Sequence, residues 1–163
     1  MSGVAEVRQP ERAAPARSGT AVRTALALLA VSAAFVGCWA LLAPASFYSS
    51  FPGLGFRWVA DAGPYDEHLV RDVGALYLAL LTITLVSLIH PSAARPWVTG
   101  AAWLVFGVPH LAFHAAHPVR GEIPELTALA ATLLLAVVAC LPPRRRSRRL
   151  PRTAVSCRRG RRR

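Results

Sequence analysis

Four stretches of this chain carry no Arg, Asp or Glu, and each is about as long as the apolar part of a bilayer is thick. The first, Ala25 to Ala43, runs for 19 residues and stops at Pro44. As a helix rising about 1.5 Å per residue it reaches about 28 Å, close to the hydrocarbon thickness. The second runs from Val73 to Ile89 and meets His90-Pro91, a natural helix stop. The third runs from Trp97 to about Ala116, and the fourth, Leu126 to Leu141, is closed by Pro142-Pro143. The second and fourth are short at 17 and 16 residues, so Leu69, Val70 and Ile123 are expected to extend them. Apolar runs of about 10–14 residues would suit the core of a water-soluble fold, whereas four longer ones in series suit lipid. The expected fold is all-α, a membrane-embedded bundle of four transmembrane helices at about 24–43, 69–90, 96–117 and 123–141.

Composition sharpens this reading. The chain is 54% hydrophobic and yet carries a formal charge of +11. The two facts are compatible only if charge and hydrophobe are segregated along the chain, and they are. Residues 1–23 are rich in Ala, Pro and Arg with too little apolar content to fold alone, and 142–163 form an arginine run outside any apolar pattern. Both are expected to be disordered tails flanking a transmembrane domain at 24–141.

Orientation follows from where the arginines fall, because short cytoplasmic flanks retain positive charge. With the N-terminus inside, four arginines of the N-tail, Arg95 between the second and third spans, and eleven after the fourth all lie on the inner side. Only Arg57, Arg71 and Arg120 fall outside. The expected location is the cytoplasmic membrane, with both termini in the cytoplasm. A cleaved signal sequence is the rival reading of the first span, since it has a basic lead and small residues at Ala43 and Ala45. Its 19 residues exceed the usual apolar region of a signal peptide, about 7–15 residues, so it is expected to be retained.

The C-terminal arginines would hold the tail against anionic lipid head groups, at about 1 kcal/mol each near the surface. Nucleic acid would be drawn by the same charge, but no aromatic residue interleaves to stack on bases, so it is not an expected partner. Cys38, Cys140 and Cys157 have neither metal-type spacing nor an even count, and Cys38 and Cys140 lie too far apart in this topology to pair. Gly74, Ala75 and Ala79 in the second span, and Gly100 and Gly107 in the third, are small residues suited to close helix contact. The outer loop from Pro44 to Pro64 carries Phe47, Tyr48, Phe51, Phe56 and Trp58. It reads as an aromatic belt at the membrane interface, or as a lid over a site between the helices.

One constellation bears on chemistry. His110, His114 and His117 stand at i, i+4 and i+7, within about 60° on one helix face. Two imidazoles one turn apart are how zinc-binding helices present ligands. The start of the second span supplies Asp66, Glu67, His68, Arg71 and Asp72 at the same membrane depth, and Glu122 and Glu125 enter the fourth. Ionisable groups inside a bilayer cost about 2.5–3.5 kcal/mol at its centre, less near its edge, so each asks for an explanation. Three readings compete. The cluster is a structural polar network, for which the i, i+4 pairs Glu67–Arg71 and His68–Asp72 are suited; or it ligates a divalent metal or haem through His68, Asp72, His110 and His114; or it handles protons or the polar head of a quinone. Pro109, just before His110, is either a packing kink or a device that swings His110 and His114 into a cavity.

The segments PYDEHLVRDVGALYLAL (Pro64 to Leu80) and VPHLAFHAAHP (Val108 to Pro118) resemble those of small uncharacterised bacterial four-helix membrane proteins, loosely similar to the DoxX-like families, over about Ala25 to Leu141. The resemblance implies a four-helix membrane bundle; relatives often carry Asn where Asp66 stands. It implies no single activity, since some DoxX-like proteins are tied to quinone-linked oxidation or thiol stress. No glycine-rich phosphate loop, Cys-x-x-Cys or recognisable Ser-His-Asp set is present, so an enzyme is not the leading expectation. The preferred reading is a structural or accessory membrane subunit, working with a membrane protein partner or as a homo-oligomer. The alternatives are a redox-associated, metal- or quinone-binding protein, and a small proton-coupled transporter, which the lack of internal repeats disfavours.

Overall fold

The computed structural model describes residues 17–117 and 122–142. Six helices are described, in the order α1 (Arg17–Leu42), α2 (Pro44–Ser50), α3 (Trp58–Ala62), α4 (Glu67–Ile89), α5 (Pro96–Ala116) and α6 (Glu122–Cys140). No strand occurs among the described residues. Helices α1, α4, α5 and α6 are each long and apolar enough to cross a membrane, over Gly19–Leu42, Glu67–Ile89, Pro96–Ala116 and Ile123–Cys140. The expected four-helix bundle is therefore what forms, with span boundaries a few residues from those read in sequence. One boundary moves further: α1 begins at Arg17, so its first turns are built from residues expected to belong to the N-terminal tail. Residues 1–16 and 143–163, which carry the rest of the two expected tails, lie outside the described residues.

Local chemistry sets the helix ends. Pro44 and Pro96 occupy first-turn positions of α2 and α5, where a missing backbone N–H is harmless. Asp66 caps α4: its side chain accepts a hydrogen bond from the Leu69 backbone N–H at 3.1 Å. Glu67 follows in the first turn, where negative charge meets the positive end of the helix dipole. At the other end of α4, His90 leaves the helical region and Pro91 cannot resume it.

The long helices pack as two intimate pairs, α1 with α4 and α5 with α6, joined chiefly by α1 against α6 and by a lighter α4–α5 contact. Glycines set both crossings. A methyl group on Gly74 would sit 2.7 Å from the Leu41 backbone nitrogen and 3.1 Å from the Gly37 carbonyl oxygen. One on Gly100 would sit 2.6 Å from both the Ala136 carbonyl oxygen and Cys140 Sγ. Gly107 approaches Leu133 as closely. Ala75 and Ala79, expected to share this role, are instead exposed on the outer face of α4.

The core at mid-bundle joins all four helices through Leu29, Ala33, Leu80, Trp103 and Ala136. Trp103, 1% exposed, donates its indole N–H to Thr84 Oγ1 at 2.9 Å. Thr84 in turn donates to the Leu80 carbonyl, so no polar atom of this pair is stranded. Outside this core the helices are apolar where they are bare: Val31, Val105 and Leu134 are all more than 60% exposed. Less than two-fifths of each span is buried within the protein, so most of its apolar surface is left for lipid to cover.

The segment between α1 and α4 is not a simple loop. It folds into α2 and α3 and closes an aromatic cluster in which Phe51 meets Phe35, Trp39, Phe47 and Trp58 at centroid distances of 4.5 to 6.0 Å. Phe47, with Ala40 and Val70, forms a second small core beneath it. The cluster packs chiefly on α1 and the start of α4.

Candidate functional site

The four long helices alternate in direction, so the C-terminal ends of α1 and α5 and the N-terminal ends of α4 and α6 share one end of the bundle. The sequence-derived site residues are gathered at this end in separate groups.

The first group lies on α5 and α6. Phe106, His110 and His114 follow one another at four-residue steps along α5. The His110 ring stacks on Phe106 with centroids 5.2 Å apart and meets His114 edge-on at 4.7 Å. His114 Nδ1 lies 3.0 Å from Glu125 Oε1, with the two side chains 15% and 8% exposed. The imidazole nitrogen and the carboxylate oxygen are thus in direct polar contact across the α5–α6 interface. Glu125 sits in the first turn of α6, where the helix dipole favours a carboxylate. On the other side, Phe106 contacts Tyr77 of α4 edge-on at 5.3 Å, and Tyr77 continues to Trp103 in the mid-bundle core. A run of rings and polar groups thus leads inward from Glu125 through His114, His110 and Phe106 to Tyr77.

His117 does not join this run. Its ring stacks on Phe113 at 4.3 Å and its Nδ1 lies 2.9 Å from the Phe113 carbonyl, so it must donate there and satisfy one of the unpaired acceptors at the end of α5. Of the three imidazoles in helical register, two are gathered and the third ends its own helix.

The second group is the start of α4. His68 pairs with Asp72 at 3.3 Å, both well exposed. Arg71 pairs with Glu67 at 2.8 Å and also donates to the Leu41 carbonyl near the C-terminus of α1. Its guanidinium therefore ties α4 to α1 and serves as a cap for the older helix. Asp66 is consumed as the α4 cap. Among the described residues no hydrogen bond or ion pair connects this group to His110, His114 or Glu125. Nor do three or more His, Cys, Asp or Glu residues come together anywhere among them as a group able to hold a metal ion.

Pro109 lies within α5, which continues through it to Ala116. Its missing N–H leaves the Val105 carbonyl without its helical partner. Cys38 and Cys140 are both free thiols, and Cys140 donates toward the Trp97 carbonyl at 3.7 Å.

Sequence reasoning placed Glu125 at the right depth without recognising it as the partner of His114. The available signal was its position in the first turn of the fourth apolar run, one helical entry away from a histidine-bearing exit. The contribution of Tyr77, in contrast, had no local signal, because only helix packing brings it to Phe106.

Comparison of the chain with protein-family models, with curated proteins and with solved structures finds no match.

Proposed function

We propose that this chain is a non-enzymatic multi-pass protein of the cytoplasmic membrane, an accessory or structural subunit whose ionisable residues hold its own helices together. The observation that carries this reading is that the candidate ligands are mostly spent on each other. His114 is taken by Glu125, His68 by Asp72, Arg71 by Glu67 and Leu41, Asp66 by the α4 N-terminus, and His117 by its own helix. Each imidazole keeps its second ring nitrogen, but a metal centre needs several ligands converging on one point, and among the described residues no three His, Cys, Asp or Glu come together. The loose resemblance to DoxX-like proteins belongs to the same proposal; of the residues that carry it, Glu67 to Leu80 lie in α4 and Val108 to Ala116 in α5, while Pro118 lies outside the described residues.

The proposed orientation puts the α4–α5 turn, with Arg95, in the cytoplasm together with both termini. It is supported by positive charge: sixteen of the nineteen arginines fall on that side in the sequence, and only Arg57, Arg71 and Arg120 on the other. Reporter fusions at Ala93 are expected to show cytoplasmic activity, and an external reporter signal there would overturn the topology.

A second reading has one observation in its favour. His110 makes no hydrogen bond among the described residues, although it lies against the buried His114–Glu125 pair. A redox or ligand site would then use His110, His114 and Glu125, and not His68 or Asp72. Elemental analysis and the visible spectrum of detergent-purified protein separate the two: a stoichiometric metal or a cofactor band supports the second reading, and a colourless, metal-free, folded sample supports the first.

A further inference from the structure

At the end of the bundle remote from the histidines, the start of α1, the end of α4, the start of α5 and the end of α6 enclose a cavity of about 630 Å³. We propose that this cavity is a binding site for an anionic membrane phospholipid, its phosphate held by Arg23 and Arg95 and its upper acyl chain lying against Leu26, Leu88 and Trp97.

Three independent features point there. The first is charge. Arg23 and Arg95 come from different helical elements and both line the cavity, while every described carboxylate side chain lies at the far end of the bundle. An anion is thus wanted at the site, and the described part of the protein supplies none. Basic pockets between transmembrane helices are where acidic lipid head groups are held.

The second is an unsatisfied donor. Ser87 lines the cavity, is 1% exposed, and its hydroxyl has no hydrogen-bond partner. A helical serine usually gives its proton to the carbonyl four residues back, here Ile83. That oxygen already faces Thr99 Oγ1 at 3.5 Å, in addition to its own helical N–H. A buried hydroxyl without a partner is costly, and rotation of the side chain toward the cavity would let an oxygen of a bound head group relieve it.

The third is size and depth. The volume falls within the range of about 300–1,000 Å³ typical of small-molecule sites and exceeds what a bare phosphate needs. The lining is otherwise apolar, and Trp97, 55% exposed at the rim, belongs to the type of residue that marks the interface between head groups and hydrocarbon. A water-borne anion would not need the greasy floor; a phospholipid uses both.

The test uses the full chain purified in a mild detergent, with phosphatidylglycerol, phosphatidylcholine and oleate as probes, read by native mass spectrometry and thermal unfolding. Phosphatidylglycerol is expected to remain as a one-to-one adduct and to raise the unfolding temperature, and phosphatidylcholine to do neither. The double variant R23Q/R95Q is expected to weaken the adduct by about 30-fold, from two arginines near an anionic surface. S87A is expected to weaken it by a smaller factor. Because the arginine tail also attracts acidic lipid, R161Q/R162Q serves as the charge-matched control and should leave the one-to-one adduct in place. If R23Q/R95Q fails to fold, R95Q alone, altered on an exposed turn, carries the same test. Equal retention of phosphatidylcholine, exclusive retention of oleate, or an adduct held as tightly by R95Q as by the unaltered chain would each overturn the proposal.

Discussion

Glu125 and His114 form the most buried polar side-chain contact at the histidine end, and its energetics turn on what is left when one is removed. Removing one partner of a buried pair typically costs about 3–5 kcal/mol, because the other is stranded without water. Interhelical hydrogen bonds in membranes are worth less, about 0.6 to 1.7 kcal/mol, since the unfolded helices find other partners in the bilayer. The pair lies near a helix end, so the lower range should govern. H114A is expected to destabilise the protein in detergent by about 1–2 kcal/mol. E125Q, which keeps a hydrogen-bonding group in place, should cost less. The double variant should be less destabilised than the sum of the two, as a double-mutant cycle of unfolding free energies would show; strict additivity would mean that the 3.0 Å contact carries no energy. At this scale the sequence was informative about depth and silent about azimuth. The i, i+4 pairs within α4 could be read directly, because helical geometry alone puts His68 beside Asp72 and Glu67 beside Arg71. Whether the faces of α4 and α5 that bear histidines turn toward each other depends on rotation about each axis, which hydropathy barely constrains when all faces are apolar.

Among the elements, the four spans were legible because lipid imposes one length and one polarity on anything that crosses it. The finer structure of the connection between α1 and α4 was not. The run from Pro44 to Pro64 has too few residues per turn signal to announce two short helices, and its order rests on Phe51 meeting four other rings, contacts that exist only after the chain has folded back on α1. The glycine crossings were half legible: Gly74, Gly100 and Gly107 sit where small residues are required, Gly37 was overlooked, and Ala79 faces outward. This distinction is testable. Replacing glycine by alanine inside a helix ordinarily gains about 1 kcal/mol from propensity. G74A and G100A should do the reverse, each losing about 1–3 kcal/mol through overpacking, because the new methyl would meet backbone at 2.7 and 2.6 Å. A79L, on an exposed face, should shift stability by no more than about 0.5 kcal/mol. Thermal unfolding of the three variants in one detergent compares them, and a stabilised G74A would mean that α1 and α4 are not held this close.

For the molecule as a whole, polar chemistry is divided between two ends and withheld from the middle. One end gathers carboxylates beside imidazoles and an arginine in contacting pairs; the other presents Arg23, Arg95 and a mostly apolar cavity. Between them the buried side-chain hydrogen bonds of the mid-bundle core, Trp103 to Thr84 and Thr84 to the Leu80 carbonyl, are fully internal. Such an arrangement resists slipping along the membrane normal, since either end would have to drag charge into hydrocarbon. It follows that the apolar bundle should stay in the membrane pellet through an alkaline carbonate wash, and its release without detergent would contradict the assignment of all four spans.

The pairing of α1 with α4 and of α5 with α6 divides the chain at a single point, the short turn around Ala93. The long helices before that turn, α1 and α4, already hold each other as closest neighbours, and so do α5 and α6 after it. Each half can therefore enter the bilayer as a self-contained hairpin, leaving the meeting of the two halves as a later event between finished pieces. Separately translated halves, cut at Ala93 and made in the same cell, should find one another and be recovered together through a tag on either one.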